Sequence, residues 1–369
     1  MNFDFSEDQE ILRGEARKFL EARCPLALVR GVLEDEGRSH DATLWQGLVD
    51  QGWTALTLPE EHGGLGMSRT DLCVLAEELG RVLAPVPFAS TVYFLAEAIM
   101  LAGSDIQREK LPAIASGECI GCLAIDEGAG EPSRKKVEAR VQNGLLSGIK
   151  QPVIDGLCAT DALVWARDES ETPRLFLASL VHEGVRRVAI DSLDPSRGIA
   201  RLEFSGVPVQ PIGGPELLDR LLDGAAVLLA FEQIGGADRA LEQAVAFAKE
   251  RSAFGREIGS YQAIKHKLAD AYVHNQIARS NAYYGIWALD ADSDELPHAA
   301  AAARVSACQA MWYAARESIQ THGGIGFTWE ADQHLFYRRA LHLNMAIGSP
   351  RMWRDRLFAA LEMHDGDSN

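Results

Sequence analysis

Residues 251–270 read RSAFGREIGSYQAIKHKLAD, and they join two long segments in which apolar residues recur at helical spacing. Similar segments follow towards the end of the chain. Their apolar faces suit a bundle of roughly antiparallel helices. Residues 215–369 are therefore predicted to form a C-terminal four-helix bundle domain, with helices at 217–252, 261–289, 297–321 and from residue 331.

Two further domains are predicted before the bundle. Residues 1–116 are expected to be all helical, because a cap-like Ser6 and an acidic first turn open a pattern of apolar residues at helical spacing. Residues 117–214 contain short, often alternating apolar segments divided by Gly, Pro, Asp or Ser, which indicates a middle β-barrel or β-sandwich domain. This order predicts an α+β fold, and no GxGxxG motif opens a βα unit.

The composition excludes several classes of partner. The formal net charge is −17, from 36 Lys and Arg against 53 Asp and Glu, so neither a nucleic acid nor an anionic membrane surface is expected as a partner. The pair Cys119 and Cys122 lies in an apolar run without a second pair or nearby histidine, so buried thiols are expected and no metal site. Reduced thiols and an acidic N-terminus without a signal pattern predict a cytoplasmic protein.

Two stretches carry a family resemblance. Residues 58–66, LPEEHGGLG, run on to EELGR at 77–81, and these segments resemble the helical-domain signature of the acyl-CoA dehydrogenase family. Residues 251–270 are the most specific match to that family, and the order of the three domains is similar too. The resemblance implies an acyl-CoA dehydrogenase-like fold, FAD as cofactor, and α,β-dehydrogenation of an acyl-CoA thioester.

The resemblance assigns cofactor contacts within 251–270. In the family, the arginine reaches the FAD pyrophosphate, the phenylalanine packs near the adenosine half, and the glutamine adds a polar contact. These roles fall on Arg251, Phe254 and Gln262. The chemistry of Arg251 agrees, because a guanidinium offers phosphate oxygens a planar fork of donors and stays charged at any relevant pH.

A second match, QTHGGIGF at 320–327, adds three residues to the predicted site. Glycines after a long helix can end it, and they also let a cofactor approach the main chain because they lack a Cβ atom. In the family this segment lies against FAD that the neighbouring subunit largely binds. Gln320, Gly323 and Gly324 therefore join the predicted FAD contacts, and an oligomer is implied.

The catalytic base of the family is missing at its usual place. Dehydrogenation needs a carboxylate that removes the α-proton of the thioester, and the matching segment here, 346–349, places Ile347 where glutamate is expected. Some relatives supply the base from the first bundle helix, at a position that falls on or near Ala225. The nearest acids there are Asp223 and Glu232, for which a solvated or capping role is expected, so the catalytic residue stays unassigned.

The predicted β domain departs from the family as well. The family commonly carries hydroxyl side chains that help hold the flavin or thioester, but the corresponding run at 125–132 reads IDEGAGEP. The next contact strand usually has Trp-Ile-Thr character, whereas residues 148–155 read GIKQPVID. Without those groups a flavin ring would lose hydrogen bonds and an aromatic wall, each worth about 1 kcal/mol.

The groups that would serve an active site in this subunit are missing, whereas those that would reach a neighbour's FAD remain. The chain therefore resembles the non-catalytic subunit of heteromeric, steroid-type bacterial acyl-CoA dehydrogenases in lipid or steroid catabolism. Its implied partners are a homologous subunit, an acyl-CoA substrate and an electron-transfer flavoprotein. Three alternatives stay open: a self-sufficient homo-oligomer with an unconventional base, a non-catalytic acyl-CoA-binding subunit, and a flavin monooxygenase.

Overall fold

The computed structural model describes residues 5–128, 130 and 137–366, with side chains as far as residue 362. The α-helices are α1 (Glu7–Arg23), α2 (Leu26–Glu34), α3 (Ala42–Asp50), α4 (Arg69–Arg81), α5 (Glu97–Ala102), α6 (Asp105–Arg108), α7 (Leu111–Ala115), α8 (Pro215–Glu250), α9 (Gln262–Asp290), α10 (Leu296–His322), α11 (Gln333–Met345) and α12 (Pro350–Gly366). A π-helical segment, Ala89–Ala96, leads into α5.

The strands are β1 (Gly121–Ala124), β2 (Arg140–Gln142), β3 (Leu145–Ile154), β4 (Asp161–Arg167), β5 (Pro173–Ser179), β6 (Val185–Ile190), β7 (Ile199–Gly213), β8 (Ser252–Ala253) and β9 (Arg256–Glu257). These elements fall into two compact units. The helical unit contains the described parts of 1–30, 69–84 and 226–369, and the mixed unit contains those of 31–68 and 85–225. The boundaries predicted at 116 and 214 stay a prediction.

Helix α1 begins as its sequence predicts. The Ser6 hydroxyl accepts a hydrogen bond from the Gln9 amide at 3.2 Å, and the Gln9 side chain accepts one from the Ser6 amide at 3.0 Å. This reciprocal capping satisfies two amides that a helix start leaves without partners. Ala16 and Leu20, which share the apolar face of α1, are buried in the helical unit.

Helices α4 and α8 touch through their backbones in the helical unit. A Cβ atom on Gly80 would lie 1.8 Å from the carbonyl oxygen of Glu232, and one on Gly235 would lie 1.9 Å from that of Glu77. No side chain fits at either glycine unless the two helices separate. Glycine at both positions therefore sets how closely α4 and α8 pack.

The strands of the mixed unit close into a barrel. The sheet order is β1-β4-β2-β3-β7-β5, and β5 also pairs with β4, so the path from β4 returns to itself, while β6 adds to β7. Strand β4 is the most buried, with six successive residues from Asp161 inside. Closure leaves few free strand edges, which suits a small β domain.

A buried ion pair fastens one end of this barrel. The Arg197 side chain donates to both carboxylate oxygens of Asp155, from Nε at 2.9 Å and from Nη2 at 2.5 Å, and both residues are at most 3% exposed. Ser90, in the π-helical segment, donates a third hydrogen bond to the same carboxylate. Each charge of the pair is therefore compensated where water does not reach.

The predicted order of helices, then strands, then helices is confirmed, and the fold is the α+β fold expected. The last predicted helix is divided: α11 ends at Met345 and α12 begins at Pro350, because proline is well suited to the first turn of a helix and poorly to its interior. Among the described residues, none of the helices combines the length and apolar character that crossing a bilayer requires.

Candidate cofactor site

The hairpin after α8 presents an aromatic ring to solvent. Strands β8 and β9 pair through a two-residue turn, Phe254 and Gly255, with φ angles of +51° and +82°. Such a turn needs left-handed backbone at both central residues, which glycine accepts easily and phenylalanine does not. Phe254 is nevertheless 97% exposed. A strained residue that buries none of its ring within its own chain indicates a contact with something outside it.

The hairpin is braced from inside its own motif. The Tyr261 hydroxyl donates to the carbonyl of Ala253 at 2.9 Å, and the guanidinium of Arg256 lies 4.0 Å from the centre of the Tyr261 ring. The Ile258 amide also donates to the carbonyl of Arg251 at 2.8 Å. These contacts fix where the tip points relative to the end of α8.

Arg251 extends from the last turn of α8 into solvent. Its amide donates to the carbonyl of Phe247 at 2.9 Å, and its side chain is exposed. Within the residues that the structure describes, Arg251 forms no ion pair. A guanidinium with available donors at this place can take a phosphate group.

The second predicted segment lies at the same end of the helical unit. The ring of Phe247, one turn before Arg251, stacks on the ring of His322 with centroids 4.3 Å apart and planes 26° apart. His322 directly precedes Gly323, so the stack brings the two motifs together. His322 Nδ1 donates to the carbonyl of Ser318 at 2.7 Å, which fixes the ring in the stack.

Gly323 and Gly324 have free space on their Cα atoms and are not packed against other parts of the chain. Gly323 has a φ of +62°, and a Cβ atom on Gly323 or Gly324 would meet nothing within 4 Å. At Gly326, by contrast, a Cβ atom would lie 2.5 Å from the carbonyl of Ile319, so that glycine serves packing. Gln262 and Gln320 are exposed beside these segments. The geometry therefore fits the ADP half of FAD: a cation, two polar amides, bare backbone and an aromatic ring.

Sequence reasoning missed the residues that hold this arrangement together. Phe247, Tyr261 and His322 each position a motif, and two of them lie inside the matched stretches. A further surface feature was missed too: Trp329 is 46% exposed and stacks on His334 with ring centroids 4.8 Å apart. The sequence offered one signal for this feature, the aromatic residue Trp329 after the glycines. A single aromatic residue does not indicate which side chains it contacts.

The position expected for the catalytic base is packed inside the helical unit. Ile347 is 2% exposed, and its carbonyl accepts a hydrogen bond from Trp353 Nε1 at 3.1 Å. Glu232 is buried with its carboxylate 3.9 Å from Arg339, as in a structural ion pair. Asp223 and Ala225 are buried in the mixed unit. None of these positions presents an exposed carboxylate.

The two runs of the β domain that depart from the family pattern, 125–132 and 148–155, contact each other through a pair of charged side chains. Lys150, on β3, is fully buried, and its Nζ lies 2.7 Å from Oε1 of Glu127. The same carboxylate accepts hydrogen bonds from the backbone amides of Glu138 at 2.6 Å and Ala139 at 3.0 Å. Of the run at 125–132, the residues Ala129, Glu131 and Pro132 lie outside the described part.

Burial and pairing shift both pKa values. Burial lowers the pKa of Lys150 even though Glu127 favours its charged form. Burial would raise the pKa of Glu127, but hydrogen bonds from Lys150, Ala139 and Glu138 outweigh it and lower that pKa. At Gly148, a Cβ atom would lie 2.7 Å from Ala139, so the tryptophan usual in the family has no room there.

Known proteins are similar to this chain in sequence. The acyl-CoA dehydrogenase N-terminal domain model matches residues 6–118, and the C-terminal domain model matches residues 213–361. Acyl-CoA dehydrogenase IpdE2 of Mycobacterium tuberculosis is 35% identical over 94% of both chains.

Solved structures of acyl-CoA dehydrogenases are similar to this chain in fold. A chain from a variant of the Tcur3481-Tcur3483 steroid ACAD is 29% identical, with a TM-score of 0.88 over 98% of this chain and 99% of that one. A chain of the ChsE4-ChsE5 complex from Mycobacterium tuberculosis is 26% identical, with a TM-score of 0.89 over 98% of this chain and 99% of that one.

Within the described residues, no group of three or more His, Cys, Asp or Glu side chains is placed to hold a metal ion. The fold, the matched domains and the relatives all indicate a flavin-dependent enzyme family. The chain belongs to the acyl-CoA dehydrogenase family, oxidoreductases that act on CH–CH bonds with FAD as cofactor.

Proposed function

We propose that this chain is the subunit that holds the nucleotide end of FAD for a homologous subunit, which supplies the catalytic base. The observation that carries the proposal is Ile347, 2% exposed where the family places its carboxylate. An isoleucine cannot accept a proton. The residues proposed for the nucleotide end, by contrast, are exposed, apart from Gly323, which is half-buried.

Each residue of the site has a distinct task in this proposal. Arg251 pairs with the pyrophosphate, and the bare backbone at Gly323 and Gly324 lets the nucleotide lie close. Phe254 covers the adenosine, while Gln262 and Gln320 add polar contacts. Bound FAD would supply the acceptor for the hydride that leaves the β-carbon of the acyl-CoA thioester. The residues of this chain orient the cofactor, and the α-proton goes to the partner's base.

The wider setting follows from the same relatives. An acyl-CoA thioester of a steroid would be the substrate, and an electron-transfer flavoprotein would accept the electrons. The relatives include a steroid ACAD and a two-component complex, which supports a heteromer here. The cytoplasmic location stays a prediction from the cysteines.

The test is co-expression with acyl-CoA dehydrogenase homologues of the same genome that keep the carboxylate. We expect the purified complex to retain flavin and to reduce a dye in the presence of acyl-CoA, and this chain alone to do neither. Arg251→Ala should leave the complex intact but lose most of its flavin, whereas Lys249→Ala, which removes an equal charge from the exposed end of α8, should retain it. Full flavin retention by Arg251→Ala would contradict the proposal.

A further inference from the structure

Arg30, on α2, contacts the loop that follows the double glycine. We call residues 328–332 the post-glycine loop, because they lie between the double glycine and α11. Arg30 Nη1 donates to the carbonyl of Trp329. Its Nη2 donates to the carbonyl of Ala331 at 3.2 Å and to Oδ1 of Asp332 at 2.8 Å. A guanidinium holds its donors in a rigid planar fork, so it fixes the relative positions of the acceptors around it.

The ring of Trp329 is flanked by two guanidinium groups. Arg30 Cζ lies 5.9 Å from the centre of the ring, and Arg338 Cζ lies 5.3 Å from it. His334 Nδ1 accepts a hydrogen bond from Arg338 Nε at 3.3 Å, so the proton of the neutral ring is on Nε2, which donates to the Trp329 carbonyl at 3.1 Å. Burial lowers the pKa of His334, which favours the neutral ring. Trp329 is therefore held through both its carbonyl and its ring.

The post-glycine loop is connected to the predicted nucleotide end through Gln333, the first residue of α11. The Gln333 side-chain amide donates to His322 Nε2 at 3.2 Å, since Nδ1 of that ring already donates to a backbone carbonyl. His322 stacks on Phe247, which lies one turn before Arg251. Hydrogen-bonded and stacked side chains thus lead from the loop that Arg30 holds to the end of α8.

We infer that Arg30 is a positioning residue for FAD binding, an inference that rests on the proposed function. By fixing the post-glycine loop, it holds Gly323 and Gly324 where the nucleotide end of the cofactor reaches them. The two glycines need this support, because a Cβ atom at either would meet nothing within 4 Å, so packing does not hold them. Mobile glycines would lose conformational entropy on binding the nucleotide, and a loop already fixed in place avoids that loss.

The contact between Arg30 and the loop is local and partly exposed. The side chains of Arg30 and Asp332 are 18% and 42% exposed. A partly exposed ion pair contributes little to global stability, so its loss should loosen the post-glycine loop without unfolding the chain. A purely structural role would instead tie α2 to the helical unit, and its loss would lower the unfolding midpoint and leave the affinity for FAD unchanged.

The test compares Arg30→Met with Arg23→Met, which removes an equal charge from the exposed last turn of α1. Methionine keeps an unbranched side chain but has no donors. Hydrogen exchange of the full chain, followed by mass spectrometry, reports on peptides that cover residues 323–332. Each variant is also co-expressed with the carboxylate-bearing homologues of the same genome, and the complex is titrated with FAD. Dye reduction by acyl-CoA at saturating FAD and thermal unfolding are measured on the same samples.

We expect Arg30→Met to speed amide exchange in residues 323–332 and to raise the Kd for FAD, each about tenfold, because hydrogen bonds from a charged group are lost. The rate of dye reduction at saturating FAD and the unfolding midpoint should stay close to those of the wild type. Arg30→Lys keeps the charge but not the planar fork, so its Kd should lie between the two. Arg23→Met should match the wild type in every measurement.

Unchanged amide exchange in Arg30→Met would overturn the inference, as would faster exchange with an unchanged Kd for FAD. A lower unfolding midpoint with an unchanged Kd would show the purely structural role. Arg251→Ala, titrated in parallel, separates this inference from the proposed function. If Arg251→Ala loses FAD and Arg30→Met does not, only the positioning role of Arg30 is wrong. If Arg251→Ala binds FAD as the wild type does, the proposed function is wrong as well.

Discussion

Lys150 Nζ lies 2.7 Å from Glu127 Oε1, and this pair, fully buried at Lys150 and partly exposed at Glu127, ties strand β3 to the segment that follows β1. Lys150 also donates to the carbonyl of Ile125 at 3.3 Å, and the amides of Glu138 and Ala139 complete the shell of the carboxylate. The pair therefore fastens three separate segments of the mixed unit. Glu127 and Lys150 lie in the two runs, 125–132 and 148–155, where the family usually carries hydroxyl and aromatic side chains.

Lys150→Met should destabilise the chain. The substitution keeps an unbranched side chain but leaves the partly exposed Glu127 without its cation, so we expect a cost of about 2 kcal/mol, less than for a fully buried ion pair. Urea unfolding of the purified chain measures the change. Lys249→Met, which removes an exposed lysine, should alter the free energy of unfolding by less than about 0.5 kcal/mol. Equal effects of the two substitutions would show that the pair contributes nothing to stability.

Gly80→Ala should destabilise the helical unit more than its single methyl group suggests. The added Cβ would lie 1.8 Å from the carbonyl oxygen of Glu232, so α4 and α8 must separate, at a cost of about 3 kcal/mol. Gly14→Ala offers the matched control, because a Cβ there meets nothing within 4 Å. That change should be neutral or stabilise α1 by about 0.5 to 1 kcal/mol. Thermal unfolding of both variants measures the two changes in stability. An unchanged unfolding midpoint for Gly80→Ala would contradict the close packing of α4 and α8.

The long helices could be predicted because their apolar pattern repeats over many turns. The segment predicted at 297–321 forms α10, Leu296–His322, and that predicted at 261–289 forms α9, Gln262–Asp290. The division before Pro350 was missed, since apolar residues continue across it and the turn depends on local backbone. The periodicity of apolar residues predicts a long helix well, but it does not predict where such a helix is interrupted.

The site could be predicted only where the information is local in sequence. Residues 251–262 form one hairpin and a helix start, so their motif also places them in space. The stack of Phe247 on His322 joins residues 75 positions apart, and no local pattern contains it. The pairing of Lys150 with Glu127 was equally hidden, because each residue alone reads as an ordinary surface charge.

Phe254→Gly should separate binding from stability. Glycine adopts the φ of +51° without strain, so the free energy of unfolding should stay the same or rise by about 1 kcal/mol. Flavin retention by the complex should nevertheless fall about tenfold, since stacking of an aromatic side chain on a base is worth about 1 to 3 kcal/mol. Phe358→Ala, which removes another exposed ring, should leave retention unchanged. Unaltered flavin content in Phe254→Gly would show that the exposed ring has another role.

Ile347→Glu should fail to create an active subunit. The side chain is 2% exposed beside Trp353, so a carboxylate there would lose its hydration, and we expect a loss of about 3 kcal/mol or more in the free energy of unfolding. Ile347→Leu, which keeps the volume, should cost less than about 1.5 kcal/mol. Acyl-CoA-dependent dye reduction by the purified chain, with FAD supplied, is the second measurement. Dye reduction by Ile347→Glu with wild-type stability would mean that this position faces substrate, and the assignment of the base to a partner would then be wrong.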